Sequence, residues 1–368
     1  MRTDSQNIPT RASHGGAVGP GVELDFSTNL NPVPRPKELD AAIRASLDDV
    51  GVYPDYRQTA AREAIARLEG VRPVNVFGGN GASELFTALA NALEPRLSLV
   101  VEPSFIGLRR ALEASPVRRV EPFYLREEDG FELTDALLPA IAPGVDLVSL
   151  ADPNNPTGRN IDAALLDAIL ERCEATGAAL VVDESFLRLS KKRAGLAKRA
   201  ADASNLYVVS SFTKSCVIPG LRVGYLVSNE ENVRRVAAAA PEWNMSGPAQ
   251  RAAVACAEAL GAAAFAETTL ATVARESAFL RERLGALGIR VYPSDTNFLL
   301  LRCDKDLYRI AAENKILIRD CSNFDGLRKG YYRVAVRDRR GNEALIAAFK
   351  KGLAERKLWN LNACRLRK

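Results

Sequence analysis

A lysine in the middle of the chain lies where an amine could react with an aldehyde. Lys214 comes five residues after the end of the predicted strand Leu206–Val209. Close to a buried strand an amine is partly desolvated, which lowers its pKa and makes it nucleophilic. Ser211 and Thr213 could donate hydrogen bonds to a phosphate, and Arg222 could bind two phosphate oxygens. Because most single lysines lie at the surface, the prediction depends on the whole pattern, Ser-x-Thr-Lys followed by Gly-x-Arg-x-Gly.

Two further segments place polar side chains after predicted strands. Asp183 follows Ala178–Val182, and a carboxylate at the end of a buried strand is unfavourable unless it meets a positive partner. A protonated pyridine nitrogen would be such a partner, although an aspartate that caps a helix fits the sequence equally well. Asn155 lies in the turn Asp152–Gly158 after the strand Leu147–Leu150, from where it could reach a hydroxyl on the same ring.

A glycine-rich turn, Gly78–Glu84, joins a predicted strand to a helix. Its glycines allow the backbone to approach an anion, and the free N–H groups of Gly81, Ala82 and Ser83 at the helix start can bind phosphate. The G-x-G-x-x-G pattern of a dinucleotide site is absent from the turn. The four segments together predict a site for pyridoxal 5′-phosphate (PLP), which carries an aldehyde, a pyridine nitrogen, a ring hydroxyl and a phosphate.

Short apolar runs alternate with amphipathic helices in this part of the chain. The alternation predicts a largely parallel sheet, with ligands at the carboxyl ends of its strands. The other predicted strands of the sheet are Val74–Phe77, Leu97–Val101 and Gly224–Val227. A long helical region is predicted at Pro248–Leu287. Beyond it lie the predicted strands and the last helix of a second, α+β domain: Asn297–Leu301, Ile316–Ile318, Tyr331–Val336 and Asn342–Ala354.

The composition excludes several kinds of function. His14 is the single histidine, so a zinc site of several histidines is excluded and a Ser-His-Asp triad would have to use this residue. The six cysteines form no CxxC pair, as expected for reduced, mostly buried thiols. The net charge of +5 is spread along the chain, which favours anionic small molecules over nucleic acid. No apolar run is long enough for a membrane span and no signal peptide is visible, so we expect a cytoplasmic protein without a membrane partner.

In their order and at successive strand ends, the four segments resemble the fold-type I PLP enzymes, the aspartate aminotransferase superfamily. The resemblance implies an α/β fold with a mostly parallel seven-stranded sheet between helices and a smaller α+β domain. It also implies that Lys214 forms the Schiff base with PLP and that Asp183 pairs with the pyridine nitrogen. Tyr53 would come from the other subunit of a homodimer, so that the active site is shared. The cofactor contacts that the resemblance implies are Tyr53, Gly81, Ala82, Ser83, Phe105, Asn155, Asp183, Ser211, Thr213, Lys214 and Arg222.

The resemblance also divides the chain into domains. We expect residues 1–45 to form an N-terminal arm and part of the small domain, residues 46–245 the large PLP-binding domain, and residues 246–368 the C-terminal small domain.

Within the superfamily the chain is most similar to the threonine-phosphate decarboxylases of cobalamin biosynthesis. The similarity lies in His14–Gly16, Leu24–Ser27, Asn29–Pro32, Leu125–Gly130, Leu133–Asp135, Ile316–Cys321 and Tyr331–Arg337. Phe186 points the same way, because histidinol-phosphate aminotransferases have a tyrosine at this position. Arginines suit a phosphorylated amino acid, since they bind oxyanions through two hydrogen bonds; a surface salt bridge is expected for Arg337. The substrate contacts that the similarity implies are His14, Gly15, Asn31, Asn155, Arg319 and Arg333.

The similarity implies decarboxylation of L-threonine O-3-phosphate to (R)-1-amino-2-propanol O-phosphate. L-Serine O-phosphate, which would give ethanolamine phosphate, lacks only one methyl group, and one methyl group discriminates weakly between substrates. Two alternatives stay open: an aminotransferase of the histidinol-phosphate type, and a PLP-binding regulator without catalytic activity. The complete set of Lys214, Asp183 and Asn155 argues against the regulator.

Overall fold

The computed structural model describes residues 15–16, 21–114, 118–191 and 194–365. The predicted substrate contact His14 lies outside these residues. The strands are β1 (Leu24–Asp25), β2 (Val76–Asn80), β3 (Leu97–Glu102), β4 (Arg119–Tyr124), β5 (Leu147–Ala151), β6 (Ala179–Asp183), β7 (Leu206–Ser211), β8 (Val223–Val227), β9 (Arg290–Val291), β10 (Phe298–Arg302), β11 (Ile316–Leu317), β12 (Arg319–Asp320) and β13 (Tyr331–Ala335). The helices are α1 (Lys37–Ala45), α2 (Thr59–Glu69), α3 (Ala82–Leu93), α4 (Gly107–Glu113), α5 (Ala163–Thr176), α6 (Ala197–Asp202), α7 (Phe212–Ser215), α8 (Glu230–Ala238), α9 (Gly247–Gly261), α10 (Ala263–Ala286), α11 (Leu307–Glu313) and α12 (Arg339–Arg365).

A seven-stranded sheet forms the larger part of the molecule, in the order β2-β8-β7-β6-β5-β3-β4. Strand β8 is antiparallel to both of its neighbours, and the other pairings are parallel, which confirms the predicted mostly parallel sheet. Its central strands are almost wholly buried, as their continuous apolar runs require. Helices cover the sheet, and α3 packs Leu85, Phe86 and Leu89 into the core on one side.

The edge strand β4 was missing from the sequence prediction. Its sequence contains Pro122 and the charged residues Arg119 and Glu121, and it is not fully buried at any position. Proline and charged side chains are typical of edge strands, because one edge has no hydrogen-bonding partner. The proline and the charged residues that suit β4 to the edge of the sheet also interrupt its apolar pattern, so apolar runs alone do not predict this strand.

A second, smaller sheet lies in the C-terminal part of the chain. Its order is β12-β13-β10-β9 and all of its pairings are antiparallel. The short strand β1 pairs in parallel with β11, so that the segment near residue 25 joins this part of the fold. A separate apolar core, which includes Leu301, Val334 and Phe349, holds this sheet to α10, α11 and α12.

The predicted helical region Pro248–Leu287 consists of two helices that meet at an angle of 76°. The break is at Ala262, whose backbone is extended. Helix α9 packs against α1 and α2 beside the large sheet, whereas α10 packs against α12 and β9. Among the described residues no single helix is long and apolar enough to cross a membrane, although this bent pair passes that test on length and composition.

Candidate active site

A cavity of about 310 Å³ lies between the two sheets, at the carboxyl ends of the parallel strands. Its volume is at the lower end of the range of small-molecule sites. The predicted residues that line it are Gly15, Ala82, Ser83, Phe105, Asn155, Asp183, Ser211, Thr213, Lys214, Arg222, Arg319 and Arg333. The four sequence segments therefore meet in one place, because the ends of neighbouring parallel strands share an edge of the sheet.

Lys214 lies on the short helix α7, which follows β7 directly. The helix starts at Ser211, whose Oγ accepts a hydrogen bond from the N–H of Thr213 at 3.1 Å. Burial lowers the pKa of Lys214 to about 8, and the positive charges of Arg333 and Arg222 act in the same direction. With this pKa roughly a tenth of the amine is neutral at pH 7, far more than for an ordinary lysine, and only the neutral amine is a nucleophile towards an aldehyde.

The start of α3 and the Arg222 side chain form an anion site beside Lys214. Gly81 precedes the helix with a φ of 73° and without a side-chain cap. A Cβ atom on Gly81 would lie 2.4 Å from Nη2 of Arg222, so only glycine allows the guanidinium to approach the backbone this closely. The first N–H groups of a helix have no carbonyl partner within it, and those of Ala82 and Ser83 are at the cavity. This arrangement suits a phosphate group.

Asp183 and Asn155 lie on the strand-end side of the cavity. Asp183 Oδ1 accepts a hydrogen bond from the N–H of Ser185 at 2.9 Å, and burial raises the pKa of the Asp183 carboxyl group. Among the residues that the structure describes, no lysine or arginine forms an ion pair with it. Asn155 Oδ1 accepts a hydrogen bond from Arg333 Nη1, which leaves the Asn155 amide N–H groups to donate to a ligand.

Two buried arginines lie opposite each other at the other side of the cavity. Arg319 on β12 and Arg333 on β13 are direct partners in the antiparallel register, and they are 8% and 5% exposed. Burial lowers the pKa of both side chains, for Arg333 to about 10. Arg333 Nη2 donates to the carbonyl of Ser27 at 2.7 Å, whereas its Nε has no hydrogen-bond partner among the residues that the structure describes. Like charges directly opposite on neighbouring strands destabilise a sheet, so an anion bound in the cavity would stabilise this pair.

The N-terminal segment closes the cavity next to these arginines. Ser27 Oγ accepts a hydrogen bond from the N–H of Gly16 at 2.8 Å, which holds Gly15 at the cavity wall. A Cβ atom on Gly15 would lie 2.3 Å from the Ser27 carbonyl oxygen. A glycine is therefore needed at this position, next to the predicted contact His14.

Besides Gly81, three residues named from the sequence are not among those that line the cavity in this chain. Tyr53 is 83% exposed and packs against Trp243 with a ring-centroid distance of 5.1 Å. Asn31 uses its side chain elsewhere: its Nδ2 donates to the carbonyl of Ser215 at 2.9 Å and its Oδ1 accepts from Val33. Arg337 donates to the carbonyl of Asp25 at 3.0 Å, and within the described part of the chain it forms no salt bridge of the kind expected.

The cavity also has lining residues that sequence reasoning did not select. They are Ser27, Thr28, Asn29, Ser185, Phe186 and Phe324. Asn29 belongs to the segment Asn29–Pro32 that carries the resemblance, but the resemblance implies a contact only for Asn31. Phe186 occupies the position where histidinol-phosphate aminotransferases have a tyrosine. In the structure the Phe186 ring packs edge-on against the Phe298 ring. The Arg333 guanidinium lies over the same Phe298 ring, so Phe186 helps to position Arg333.

PLP fits these residues on three observations. The α3 N–H groups and Arg222 suit its phosphate, the amine of Lys214 suits its aldehyde, and the buried Asp183 carboxylate lacks the cation that a protonated pyridine nitrogen would supply. The amide of Asn155 can donate to the ring hydroxyl oxygen.

The rate at which PLP combines with the cofactor-free protein is expected to rise with pH and to level off above the Lys214 pKa of about 8. Only the neutral amine attacks an aldehyde, and the neutral fraction of Lys214 grows until the pH has passed that pKa. The measurement is the growth of cofactor absorbance after rapid mixing at a series of pH values. In the variant Arg333→Met the midpoint should move to higher pH, because one of the charges that lower the Lys214 pKa is removed. A rate independent of pH would show that the Lys214 amine is not the titrating nucleophile.

Comparison with known proteins agrees with this geometry. Residues 22–349 match the family described as aminotransferase class I and II. The threonine-phosphate decarboxylase of Salmonella typhimurium is 36% identical over 353 residues, which cover 92% of this chain and 96% of that protein. Among solved structures, the histidinol-phosphate aminotransferase from Clostridium acetobutylicum has a TM-score of 0.83 at 27% identity, covering 90% of this chain and 99% of its own. The L-threonine-O-3-phosphate decarboxylase from Porphyromonas gingivalis has a TM-score of 0.79 at 27% identity, with the same coverage.

Proposed function

Since this chain belongs to the aminotransferase class I and II family and is an enzyme of that PLP-dependent superfamily, we propose that its reaction is the decarboxylation of L-threonine O-3-phosphate. The product would be (R)-1-amino-2-propanol O-phosphate, as in cobalamin biosynthesis. The observation that carries the proposal is the buried pair of Arg319 and Arg333 in the same cavity as Lys214. The identity of 36% to a threonine-phosphate decarboxylase supports it.

The charge of the cavity suits this substrate. L-Threonine O-3-phosphate carries a phosphate and a carboxylate, and both are oxyanions that guanidinium groups bind through two hydrogen bonds. The PLP phosphate would use Arg222 and the α3 N–H groups, which leaves Arg319 and Arg333 for the substrate. Burial of both arginines strengthens their interaction with an anion, because little water competes for it.

In the proposed mechanism the protein fixes the substrate and moves one proton. Bound PLP supplies an electron-withdrawing ring that weakens the bond to be broken. With PLP bound, the Asp183 carboxylate would be the partner of the protonated ring nitrogen, and the Asn155 amide would donate to the ring hydroxyl oxygen. Arg319 and Arg333 would bind the substrate anions and so fix the orientation of the carboxylate that leaves, which is the positioning that decarboxylation requires. Lys214 then returns a proton to Cα after CO₂ has left.

A second candidate activity is a histidinol-phosphate-type aminotransferase. The observation that favours it is the high structural similarity to such an enzyme, with a TM-score of 0.83. Arg319 and Arg333 could also bind the phosphate of histidinol phosphate. Phe186 favours the decarboxylase, as the resemblance of the sequence implied.

One assay separates the two activities. The PLP-loaded protein is incubated with L-threonine O-3-phosphate, L-serine O-phosphate or histidinol phosphate, with and without a keto acid acceptor, and the products are identified. The proposal expects CO₂ from threonine phosphate without an acceptor. Acceptor-dependent conversion of histidinol phosphate, without CO₂ from either phospho-amino acid, would overturn it. The ratio of the CO₂ rates from the threonine and serine phosphates then measures how well the site recognises one methyl group.

Replacing Arg333 with methionine should raise KM for threonine phosphate by about 100-fold, because a buried cation that binds a substrate anion is lost. The absorbance of bound PLP should stay the same, since the cofactor's predicted contacts do not include Arg333. Arg337→Met is the matched control: Arg337 also donates to a main-chain carbonyl but does not line the cavity, so its KM should stay within about twofold. Equal KM values for the Arg333 variant and the wild type would remove Arg333 from the substrate site.

An exposed apolar surface supports the proposed homodimer. Leu47, Val50, Val52 and Tyr53 are 61%, 65%, 70% and 83% exposed, and Trp243 beside Tyr53 is 46% exposed. Monomeric proteins rarely expose so many large apolar side chains in one region. We propose that a second copy of the chain covers this surface, and that Tyr53 reaches the PLP site of that copy.

A further inference from the structure

The loop between β12 and β13 holds Arg319 from two directions. We call residues 321–327 of this loop the anion loop. Its Asn323 Oδ1 accepts a hydrogen bond from Arg319 Nη2 at 2.7 Å. The Phe324 ring lies against the same guanidinium, with 5.2 Å between Cζ and the ring centroid. Phe324 and Arg319 both line the active-site cavity. Two consecutive loop residues therefore fix the direction in which this guanidinium points.

The next residue anchors the anion loop to the large sheet. Asp325 accepts hydrogen bonds from Arg109 on α4 and from the hydroxyl group of Tyr124 at the end of β4, the latter at 3.1 Å. Arg109 is itself held by Glu102 at 3.2 Å and by Glu113 at 2.8 Å. The anchor thus joins the small sheet, which carries Arg319, to elements of the large sheet.

A second cavity on the other side of Arg319 gives this side chain an alternative direction in which to point. This cavity, of about 430 Å³, is lined by Glu102, Arg109 and Asp325 and shares Phe105, Arg319 and Phe324 with the active-site cavity. Arg319 therefore borders open space on both sides, and its flexible side chain has room in either cavity. The contacts with Asn323 and Phe324 hold it at the wall that the two cavities share.

We propose that the anion loop positions Arg319 for an anionic group of the substrate, and that Arg109 and Tyr124 anchor this loop through Asp325. Asn323, Phe324 and Asp325 are positioning residues, since they act on the substrate through Arg319. The inference rests on the proposed function in that the substrate is a phosphorylated amine bound by Arg319. It holds for decarboxylation and for transamination alike, because both candidate substrates carry a phosphate.

The test measures KM and kcat of the PLP-loaded variants Asp325→Asn, Arg109→Met and the double variant. Each single variant should raise KM by about tenfold, the range for one lost charge-assisted hydrogen bond, while kcat stays within about twofold. The double variant should be no worse than the more affected single variant, because both substitutions release the same anchor. Asn323→Ala, which removes the contact to Arg319 directly, should also raise KM. The inhibition constant of inorganic phosphate should rise with KM in each case.

A matched control and the wild type make the result specific. Glu230→Gln removes an exposed ion pair with Arg234 on α8, and since neither residue lines the active-site cavity, KM should stay unchanged. Unchanged KM in Asp325→Asn and Asn323→Ala overturns the inference, and so do additive effects of Asp325→Asn and Arg109→Met. A loss of PLP absorbance with a parallel fall in kcat also overturns it, since that pattern indicates a general structural role. If the wild type releases no CO₂, the proposed function fails but the inference does not. The KM values of the variants are then measured with histidinol phosphate as substrate and a keto acid as acceptor.

Discussion

Replacing Lys214 with alanine is expected to lower turnover by at least about 10⁴-fold, the upper range for a single acid–base group. Among the residues that the structure describes, Lys214 is the one lysine that lines the active-site cavity, which places its amine to react with the aldehyde of PLP and to return a proton to the substrate. The absorbance band of lysine-bound cofactor should be lost as well. Both changes are measured on the purified variant after incubation with PLP, by absorbance and by product formation.

A surface lysine provides the control for this prediction. Lys350 is exposed on α12, and Lys350→Ala should keep both the absorbance band and the activity. Reduction of the wild-type protein with borohydride, followed by peptide mapping, should place the pyridoxyl group on Lys214. Finding it on another lysine, or finding full activity in Lys214→Ala, would falsify the assignment.

Replacing Asp183 with asparagine is expected to lower kcat by about 10²- to 10³-fold, the usual loss when one preorganised electrostatic contact is removed. The amide can still accept the hydrogen bond from Ser185, but it cannot hold a proton on the pyridine nitrogen. The same change should stabilise the cofactor-free protein at neutral pH, because it removes a buried carboxylate without a cation partner. Steady-state kinetics and denaturant unfolding of the cofactor-free protein measure the two effects.

The pH dependence of unfolding provides a further check on Asp183. Burial raises the pKa of this carboxyl group, so the folded protein binds its proton more tightly than the unfolded chain does. The contribution of Asp183 to stability should therefore fall as pH rises through the interval between the unfolded and the folded pKa, and Asp183→Asn should lose this dependence. Asp162, which caps α5 by accepting from Ala164 and Leu165, is the matched control. If Asp162→Asn and Asp183→Asn behave alike in both measurements, Asp183 is only a helix cap.

The sequence predicted the buried strands of the large sheet well, because continuous apolar runs have few other interpretations. β3, β5 and β7 begin at the predicted residues. The pattern could not show that β8 runs antiparallel, since strand direction depends on how the chain returns after α7. It also missed the break at Ala262, although Gly261 directly before it is a residue type that commonly ends a helix.

The position of candidate residues at strand ends was also predictable, whereas that of residues in irregular segments was not. Asp183 and Lys214 follow predicted strands and line the cavity, as a shared sheet edge requires. Asn29 and Asn31 are two positions apart in one motif, and the sequence alone does not tell which of them faces the cavity. Their placement is decided by contacts distant in sequence, such as those of Asn31 with Ser215 and Thr269. The opposition of Arg319 and Arg333 likewise depends on the register of β12 and β13.

That opposition of two guanidinium groups also bears on how a catalytic cycle would end. Under the proposed reaction the substrate brings a phosphate and a carboxylate to the two arginines, and the carboxylate departs as CO₂. The product then neutralises the pair less completely, and the mutual repulsion of two positive charges in a poorly solvated place increases. The two positive charges that bind the substrate therefore also favour release of the product. Cleavage of the bond to the carboxylate lowers the affinity of the protein for the product.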